Sequence, residues 1–249
     1  MRGSTGYPVR LRYTKRGKIR WISHRDVARA LERAFRITQL PLAFTEGFSP
    51  RPKVSFGLAL STGHESEAEY LDLEFLHPVD LRELPALLTT ALPEGMEIVD
   101  AVPLSERAPA LQEAVTAVEW QVGVAHNDGS PVASEDVRMC VEAALAVEAL
   151  PAERRRKGRI VTEDVRPVIR RIDVPDANGD TEIVMELSTQ PRSAKPGEIL
   201  AAIAYVAHLP GGLTEVRALR IHQWIERDGT RCEPQDADTR PHAPEARAS

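Results

Sequence analysis

The first hundred residues alternate between strand-like and helix-like patterns of apolar positions. Residues 7–14 place Val9 and Leu11 on one side of an extended chain and Arg10 and Arg12 on the other. This alternation predicts a strand with one face in water. Similar patterns predict a second strand, a third strand, a short helix and a fourth strand further along, over residues 54–60, 71–75, 81–92 and 96–102.

An amphipathic helix is predicted between the first two strands. Ser23 is a suitable N-cap and Asp26 follows three residues later, as in a capping box. Apolar residues then recur at three- and four-residue spacing from Val27 to Phe35, so we expect the helix to reach about Gln39. The opposite side of this helix carries a row of arginines: Arg25, Arg29, Arg33 and Arg36.

The second half of the chain repeats the same order of elements. The predicted elements are a strand around 118–124, a helix from Ser134 to about Val147, strands at 166–174 and 181–188, a helix at 197–207 and a strand at 214–226. A β-α-β-β-α-β order is typical of a ferredoxin-like unit. We therefore expect an α+β protein with two tandem ferredoxin-like units and antiparallel sheets, over residues 1–108 and 109–227. The polar residues 228–249, rich in Pro, Ala and Asp, predict a disordered tail.

Composition excludes several classes of protein. The two cysteines, Cys140 and Cys232, can form neither a disulfide framework nor a Cys-rich metal centre. No stretch approaches the roughly 18 apolar residues of a membrane span, and the first residues lack the apolar core of a signal peptide. We expect a soluble cytoplasmic protein that needs no metal or other cofactor.

Charge is distributed very unevenly along the chain. Residues 1–60 carry 13 Lys and Arg against 3 Asp and Glu, whereas the whole chain has a net charge of −5. Such an imbalance indicates where an anionic partner would bind. The alternative is that the basic part docks on the acidic part of the same molecule.

The basic residues before and within the predicted helix are the best candidates for binding RNA phosphates. An exposed helix face commonly carries charge, but here the cations have only Asp26 and Glu32 nearby. Contacts with six phosphates would lower the affinity roughly a thousandfold between 50 and 200 mM salt. Besides Lys15, the candidates are Arg16, Lys18, Arg20, Arg25, Arg29 and Arg33. The charged residues 154–159, predicted as a basic loop, are a weaker second candidate.

The loop at residues 46–53 combines glycine, two prolines, an aromatic residue and two cations. Phe48 could stack on a base while Arg51 and Lys53 hold phosphates. Proteins that bind single-stranded nucleic acid commonly use this combination of contacts. The alternative is a proline-braced loop in which Phe48 fills the core.

His24 is the one candidate for acid–base chemistry. The dipole at a helix N-terminus disfavours an imidazolium, which suits a general base. The alternative, which we favour, is a neutral histidine that fixes the junction between strand and helix. The other histidines show no metal-binding spacing, and no phosphate loop, nucleophile elbow or metalloprotease motif is present.

Residues 18–26 (KIRWISHRD), 30–35 (ALERAF) and 41–74 (PLAFTEGFSPRPKVSFGLALSTGHESEAEYLDLE) resemble the uncharacterised radical-SAM-linked family of bacterial proteins. Members of that family are free-standing or fused to a B12-binding radical SAM protein, and they lie near ribonuclease and ribosomal-protein genes. The resemblance implies a B12-binding radical SAM protein as partner. The chain lacks the three-cysteine cluster motif, so it resembles the companion rather than the radical enzyme. Ser49 stands where the family favours Asn.

The first unit is also similar, more loosely, to CRISPR repeat-processing endoribonucleases. Those enzymes have tandem ferredoxin-like domains and cut RNA without metal, often with a histidine, which implies a role for His24.

These patterns lead to one main hypothesis and two alternatives. The main hypothesis is a non-catalytic RNA-binding or substrate-presenting module that acts with a radical SAM enzyme in RNA or ribosome-related metabolism. The alternatives are a metal-independent endoribonuclease that uses His24, and a protein–protein adaptor that binds no RNA.

Overall fold

The computed structural model describes residues 6–105, 108–156, 158–176 and 179–239. Within these ranges the chain forms two compact units. The first combines residues up to 62 with residues 66–115 and the segment from 224 onward, and the second combines residues 63–65 and 116–223. The observed division thus falls after residue 115 rather than 108, and residues 224–239 belong to the first unit instead of following the second.

The first unit follows the predicted order of elements. Its elements are β1 (Tyr7–Lys15), a 3-10 helix (Gly17–Trp21), α1 (His24–Ile37), β2 (Val54–Phe56), β3 (Glu65–Phe75), α2 (Leu84–Thr89), β4 (Ile98–Pro103) and α3 (Leu111–Ala114). β1 pairs antiparallel with β3 and with β4, and β2 pairs antiparallel with β3. The strands therefore lie in the order β4-β1-β3-β2.

α1 packs its apolar side against the sheet of the first unit. Val27, Leu31 and Phe35 are buried in one cluster with Leu11 of β1 and Leu71 of β3. The repeat of apolar residues in the sequence therefore predicts this contact correctly, because the 3.6-residue period places all three helix side chains on one stripe.

The second unit contains β5 (Ala117–Ala125), α4 (Ser134–Ala146), β6 (Pro151–Arg156), β7 (Arg159–Asp164), β8 (Ile169–Asp173), β9 (Glu182–Ser188), α5 (Pro196–Val206) and β10 (Thr214–Arg227), of which the last four residues belong to the first unit. Its sheet has the order β10-β5-β9-β8, and β6 and β7 form a separate antiparallel hairpin. The described part of the chain is thus a mixed α/β protein whose strands are mostly antiparallel.

Residues 228–239 are folded, contrary to the disorder that their composition predicts. β11 (Thr230–Cys232) pairs with the end of β10, and Leu104 forms a β-bridge with Thr239. Pro234 accepts a hydrogen bond of 2.8 Å from the Arg10 guanidinium. The polar composition misleads because this segment makes hydrogen bonds with buried polar groups of the first unit, such as Arg10. Residues 240–249 lie outside the described residues.

No helix in the described ranges is long and apolar enough to cross a membrane.

Candidate nucleic-acid interface

Local sequence fixes the start of α1 and the direction of its arginines. The Ser23 hydroxyl donates a 2.6 Å hydrogen bond to Asp26 and accepts one of 3.3 Å from the Asp26 amide. The hydrogen bond from Ser23 holds the pKa of the Asp26 carboxyl below its ordinary value. Because the buried stripe faces the sheet, the opposite side of the helix exposes Arg25, Arg29, Arg33 and Arg36. We call these four residues the arginine row.

Most of the arginine row is not neutralised by the protein itself. Arg29 pairs with Asp26 at 3.1 Å, between adjacent turns of the same helix. Such an exposed pair contributes little free energy and opens readily. Five basic residues make no ion pair with any carboxylate among the described residues: Lys18, Arg25, Arg33, Arg36 and Arg51. Three of the four arginines in the row therefore have no ion pair among the described residues.

The 3-10 helix, which comes directly before the start of α1 in the chain, carries an exposed aromatic residue beside cations. Lys18 is exposed, and the Arg20 guanidinium lies over the Trp21 ring, 5.1 Å from its centroid. The Trp21 side chain is 64% exposed. Sequence reasoning missed Trp21, although its position between two cation-rich segments was the available signal.

Two further predicted cations, besides Arg29, are held by the protein's own carboxylates. Arg16 pairs with Glu67, and the Lys53 amine lies 3.0 Å from Glu74. Both side chains remain partly exposed, so each can still approach an anion only by competing with its carboxylate.

Lys15 does not belong to the surface at all. Its amine is buried and donates hydrogen bonds of 3.0 and 3.1 Å to the carbonyls of Arg20 and Ile22. Burial lowers the pKa of this amine. The expectation that Lys15 contributes to a phosphate-binding face is therefore wrong, because β1 turns its last side chain inward.

The loop predicted to bind nucleic acid is a hairpin-like projection. The Thr45 amide donates to the Arg51 carbonyl at 2.8 Å, and Phe44 forms a β-bridge with Pro52. Phe48 at the tip is completely exposed and does not fill the core. An unshielded aromatic ring on a braced loop is suited to stacking on a flat ligand.

A groove joins the arginine row to this loop. Its volume is about 410 Å³, and its lining residues come from the end of α1, the turn after it and the loop: Glu32, Phe35, Arg36, Gln39, Leu40, Leu42, Phe44 and Pro52. Arg36 belongs both to the row and to the groove. The sequence did not reveal this groove, because its walls come from three separate segments.

His24 lies at the first position of α1, as predicted. Its ring packs edge-on against Phe56 of β2, with the ring centroids 5.2 Å apart. This contact agrees with a structural role at the junction between strand and helix.

The second basic candidate is a β-hairpin and not a loop. Arg154 in β6 is held by Glu163 and Glu198 at 3.0 and 3.1 Å. Its charge is therefore compensated. Arg159 is exposed, while residue 157 and the side chains of Arg155 and Arg156 lie outside the described part of the chain.

The second unit contains a buried histidine that pairs with a glutamate, and the spacing in the sequence could not show this contact. His64 Nε2 lies 2.8 Å from Glu215, and the ring packs edge-on against Trp120. The two paired residues are 151 positions apart in the chain. Over the described ranges, no group of three or more His, Cys, Asp or Glu side chains could hold a metal ion.

The chain has low similarity to several solved structures. The alignment with a chain of a Cbf5-Nop10-Gar1 complex includes 88% of this chain and 49% of the other, with 11% identity and a TM-score of 0.46. The alignment with a chain of an H/ACA RNP bound to a substrate RNA includes 91% of this chain and 49% of the other, with 11% identity and a TM-score of 0.42. For a putative dyp-type peroxidase protein from Shewanella oneidensis the values are 88% and 92% (10%, 0.22). The chain thus spans about half the length of the first two. These similarities are too low to support any statement about this chain.

A family comparison gives a clearer result. No curated protein matches the chain. The profile of one family matches residues 9–196, which is most of the sequence, and that family is described as "Uncharacterized protein conserved in bacteria (DUF2344)".

Proposed function

For this chain, which belongs to the DUF2344 family of uncharacterized bacterial proteins, we propose a function as a non-catalytic RNA-binding module. The observation that carries the proposal is the arginine row: four exposed guanidiniums on one helix face, three of them without an ion pair in the described part of the chain. Guanidinium groups bind phosphate oxygens in bidentate geometry, and this face has the spacing of a continuous strip.

Exposed aromatic residues beside the row favour RNA over other polyanions. Trp21 lies at one end of α1 in the chain, and Phe44 and Phe48 follow the other end. Unstacked bases of single-stranded RNA bind to such rings, whereas a helix face with cations alone reads only phosphate.

We also propose that both units are ferredoxin-like. Each contains strands in the chain order strand, helix, strand, strand, helix, strand, and in each the fourth strand lies beside the first and the second beside the third. The β6–β7 hairpin is then an insertion in the second copy. This repeated order supports a gene duplication of one such unit.

The resemblance of residues 18–74 to the radical-SAM-linked family supports a B12-binding radical SAM protein as partner. In this proposal the module binds an RNA and presents it to that enzyme.

The RNA-binding proposal is tested by measuring affinity for a labelled RNA hairpin with a single-stranded loop. We expect the wild type to bind it with strong salt dependence. The variant Arg25→Glu/Arg29→Glu/Arg33→Glu should bind at least about tenfold more weakly, because phosphate contacts are lost and repulsion is gained.

The matched control is Arg82→Glu/Arg192→Glu/Lys195→Glu, which makes the same change in net charge at exposed positions outside the first 60 residues. Its affinity should remain close to that of the wild type. Equal binding by both triple variants, or salt-insensitive binding, would overturn the proposal and favour a protein adaptor. Cleavage of the RNA in EDTA that disappears with His24→Ala would overturn its non-catalytic part.

A further inference from the structure

The groove beside α1 has the composition of a site for one flat, polar-edged ligand. Phe35 and Leu42 form a buried apolar floor, and the Phe44 ring is 53% exposed at the wall. The volume of about 410 Å³ lies within the usual range for small-ligand clefts. This volume is large enough for a single nucleobase.

Two charged side chains at the edge of the groove are unpaired. Glu32 and Arg36 are one helical turn apart, in the order that favours an ion pair on a helix. Among the described residues neither makes an ion pair, with the other or with any third group. Both also line the groove. An anionic acceptor and a cationic donor are thus available to a ligand.

We infer that this groove binds an unstacked guanine base of the RNA, and this inference rests on the proposed RNA-binding function. The Phe44 ring stacks on the base, the Glu32 carboxylate receives hydrogen bonds from its edge, and Arg36 holds an adjacent phosphate. The arginine row continues from Arg36 along α1, so the flanking RNA backbone follows the same helix face.

The carboxylate of Glu32 selects guanine among the four bases. Guanine carries two adjacent donors, N1–H and the N2 amine, which match the two oxygens of an ionised carboxylate. Adenine and cytosine each place a ring-nitrogen acceptor beside their amine. Uracil flanks its single N–H with two carbonyl oxygens. Each of these three edges brings an acceptor towards the carboxylate, which repels it.

The test uses three labelled RNA hairpins that differ at one loop position: guanosine, inosine or adenosine in a loop of uridines. Inosine lacks only the N2 amine and therefore keeps one of the two donors. We expect the wild type to bind the guanosine hairpin about tenfold more tightly than the adenosine hairpin, with inosine between them. Phe44→Ala should weaken binding of all three, because stacking does not depend on the base.

The matched variant is Glu32→Gln, which keeps the shape of the side chain but replaces one acceptor by a donor. It should lose the preference for guanosine while binding the adenosine hairpin at least as well as the wild type does. Equal binding of the three hairpins by the wild type, or a guanosine preference that survives Glu32→Gln, would overturn the inference. If, in that case, the affinity still depended on Arg25, Arg29 and Arg33, the proposed RNA-binding function would stand and only the guanine site would be rejected. Failure of all three hairpins to bind would overturn both.

Discussion

Arg10 and Asp72 form a buried ion pair between directly opposed positions of β1 and β3. The Arg10 Nε and Nη2 atoms lie 2.7 and 2.9 Å from the two oxygens of Asp72, and Nη1 donates to the Pro234 carbonyl at 2.8 Å. The Arg10 side chain is 1% exposed. The three guanidinium nitrogens of Arg10 thus all donate to protein oxygens, and the buried arginine cannot bind an external anion.

Replacing either partner of this pair should destabilise the fold strongly. Arg10→Met leaves the Asp72 carboxylate without its partner in a mostly buried position, which costs about 3–5 kcal/mol. The free energy of unfolding in urea measures this loss. Arg25→Met, an exposed control in the arginine row, should change it by less than about 0.5 kcal/mol. A similar stability for both variants would contradict the burial of Arg10.

Removing residues 230–249 should destabilise the first unit, although their composition predicts disorder. The truncation deletes β11, the Pro234 carbonyl that receives Arg10, and Glu233, which pairs with Arg12 at 2.9 Å. The loss should be on the order of 2–4 kcal/mol, because two buried or half-buried guanidiniums lose partners.

Thermal unfolding followed by circular dichroism checks this truncation. The point variant Glu233→Gln in the full chain removes the negative charge that pairs with Arg12 but keeps the segment. It should lower the unfolding temperature clearly less than the truncation does. An unchanged unfolding temperature for the truncated chain would show that the segment does not support the first unit.

Stability should depend on Lys15 in alkaline solution. Burial lowers the pKa of Lys15 from its ordinary value of 10.5, so the unfolded chain binds more protons at this group between the lowered pKa and 10.5. Stability from this residue therefore rises with pH in that window. The neutral amine still has two N–H donors for the carbonyls of Arg20 and Ile22.

The measurement is the difference in unfolding free energy between the wild type and Lys15→Met at several alkaline pH values. Because both proteins share every other titrating group, including Tyr70, whose pKa is raised by burial, the difference isolates Lys15. The unfolding free energy of the wild type should rise relative to that of Lys15→Met as the pH rises towards 10.5. A difference that is independent of pH would mean that the amine is solvated.

Gly95 should tolerate no side chain, because it lies against the turn that precedes the 3-10 helix. Its carbonyl accepts a 2.8 Å hydrogen bond from the Arg16 amide, and a Cβ at this position would collide with the Arg16 carbonyl. Gly129 has a similar backbone angle (φ +85° against +89°) but open space around the missing Cβ.

Comparing Gly95→Ala with Gly129→Ala therefore separates collision from backbone strain. Gly129→Ala should cost about 1 kcal/mol for the left-handed backbone alone. Gly95→Ala should cost clearly more in the same urea titration. Equal losses would indicate that the turn moves aside freely.

The sequence predicts α1 and its exposed arginines well, because both follow from local information. The Ser23 cap and the spacing from Val27 to Phe35 determine where the helix begins and which side is buried. Arg25 lies on the side opposite the buried stripe, and the structure leaves that side exposed.

The same pattern misleads at Arg10, where alternation correctly predicts a strand but wrongly predicts a wet face. Whether the second face of a strand is covered depends on distant residues, here Pro234, which is 224 positions away. The groove around Phe44 was missed for a similar reason. Its lining residues are ordinary apolar side chains that form a site only after the chain folds back on α1.

The return of residues 224–239 to the first unit has a consequence for protein synthesis. A nascent chain can pair β1 with β3 and β4 early, but the guanidinium of Arg10 keeps an unsatisfied donor until Pro234 leaves the ribosome. The whole of the second unit is translated in the meantime. The first unit therefore receives its last segment only after all residues of the second unit have been synthesised.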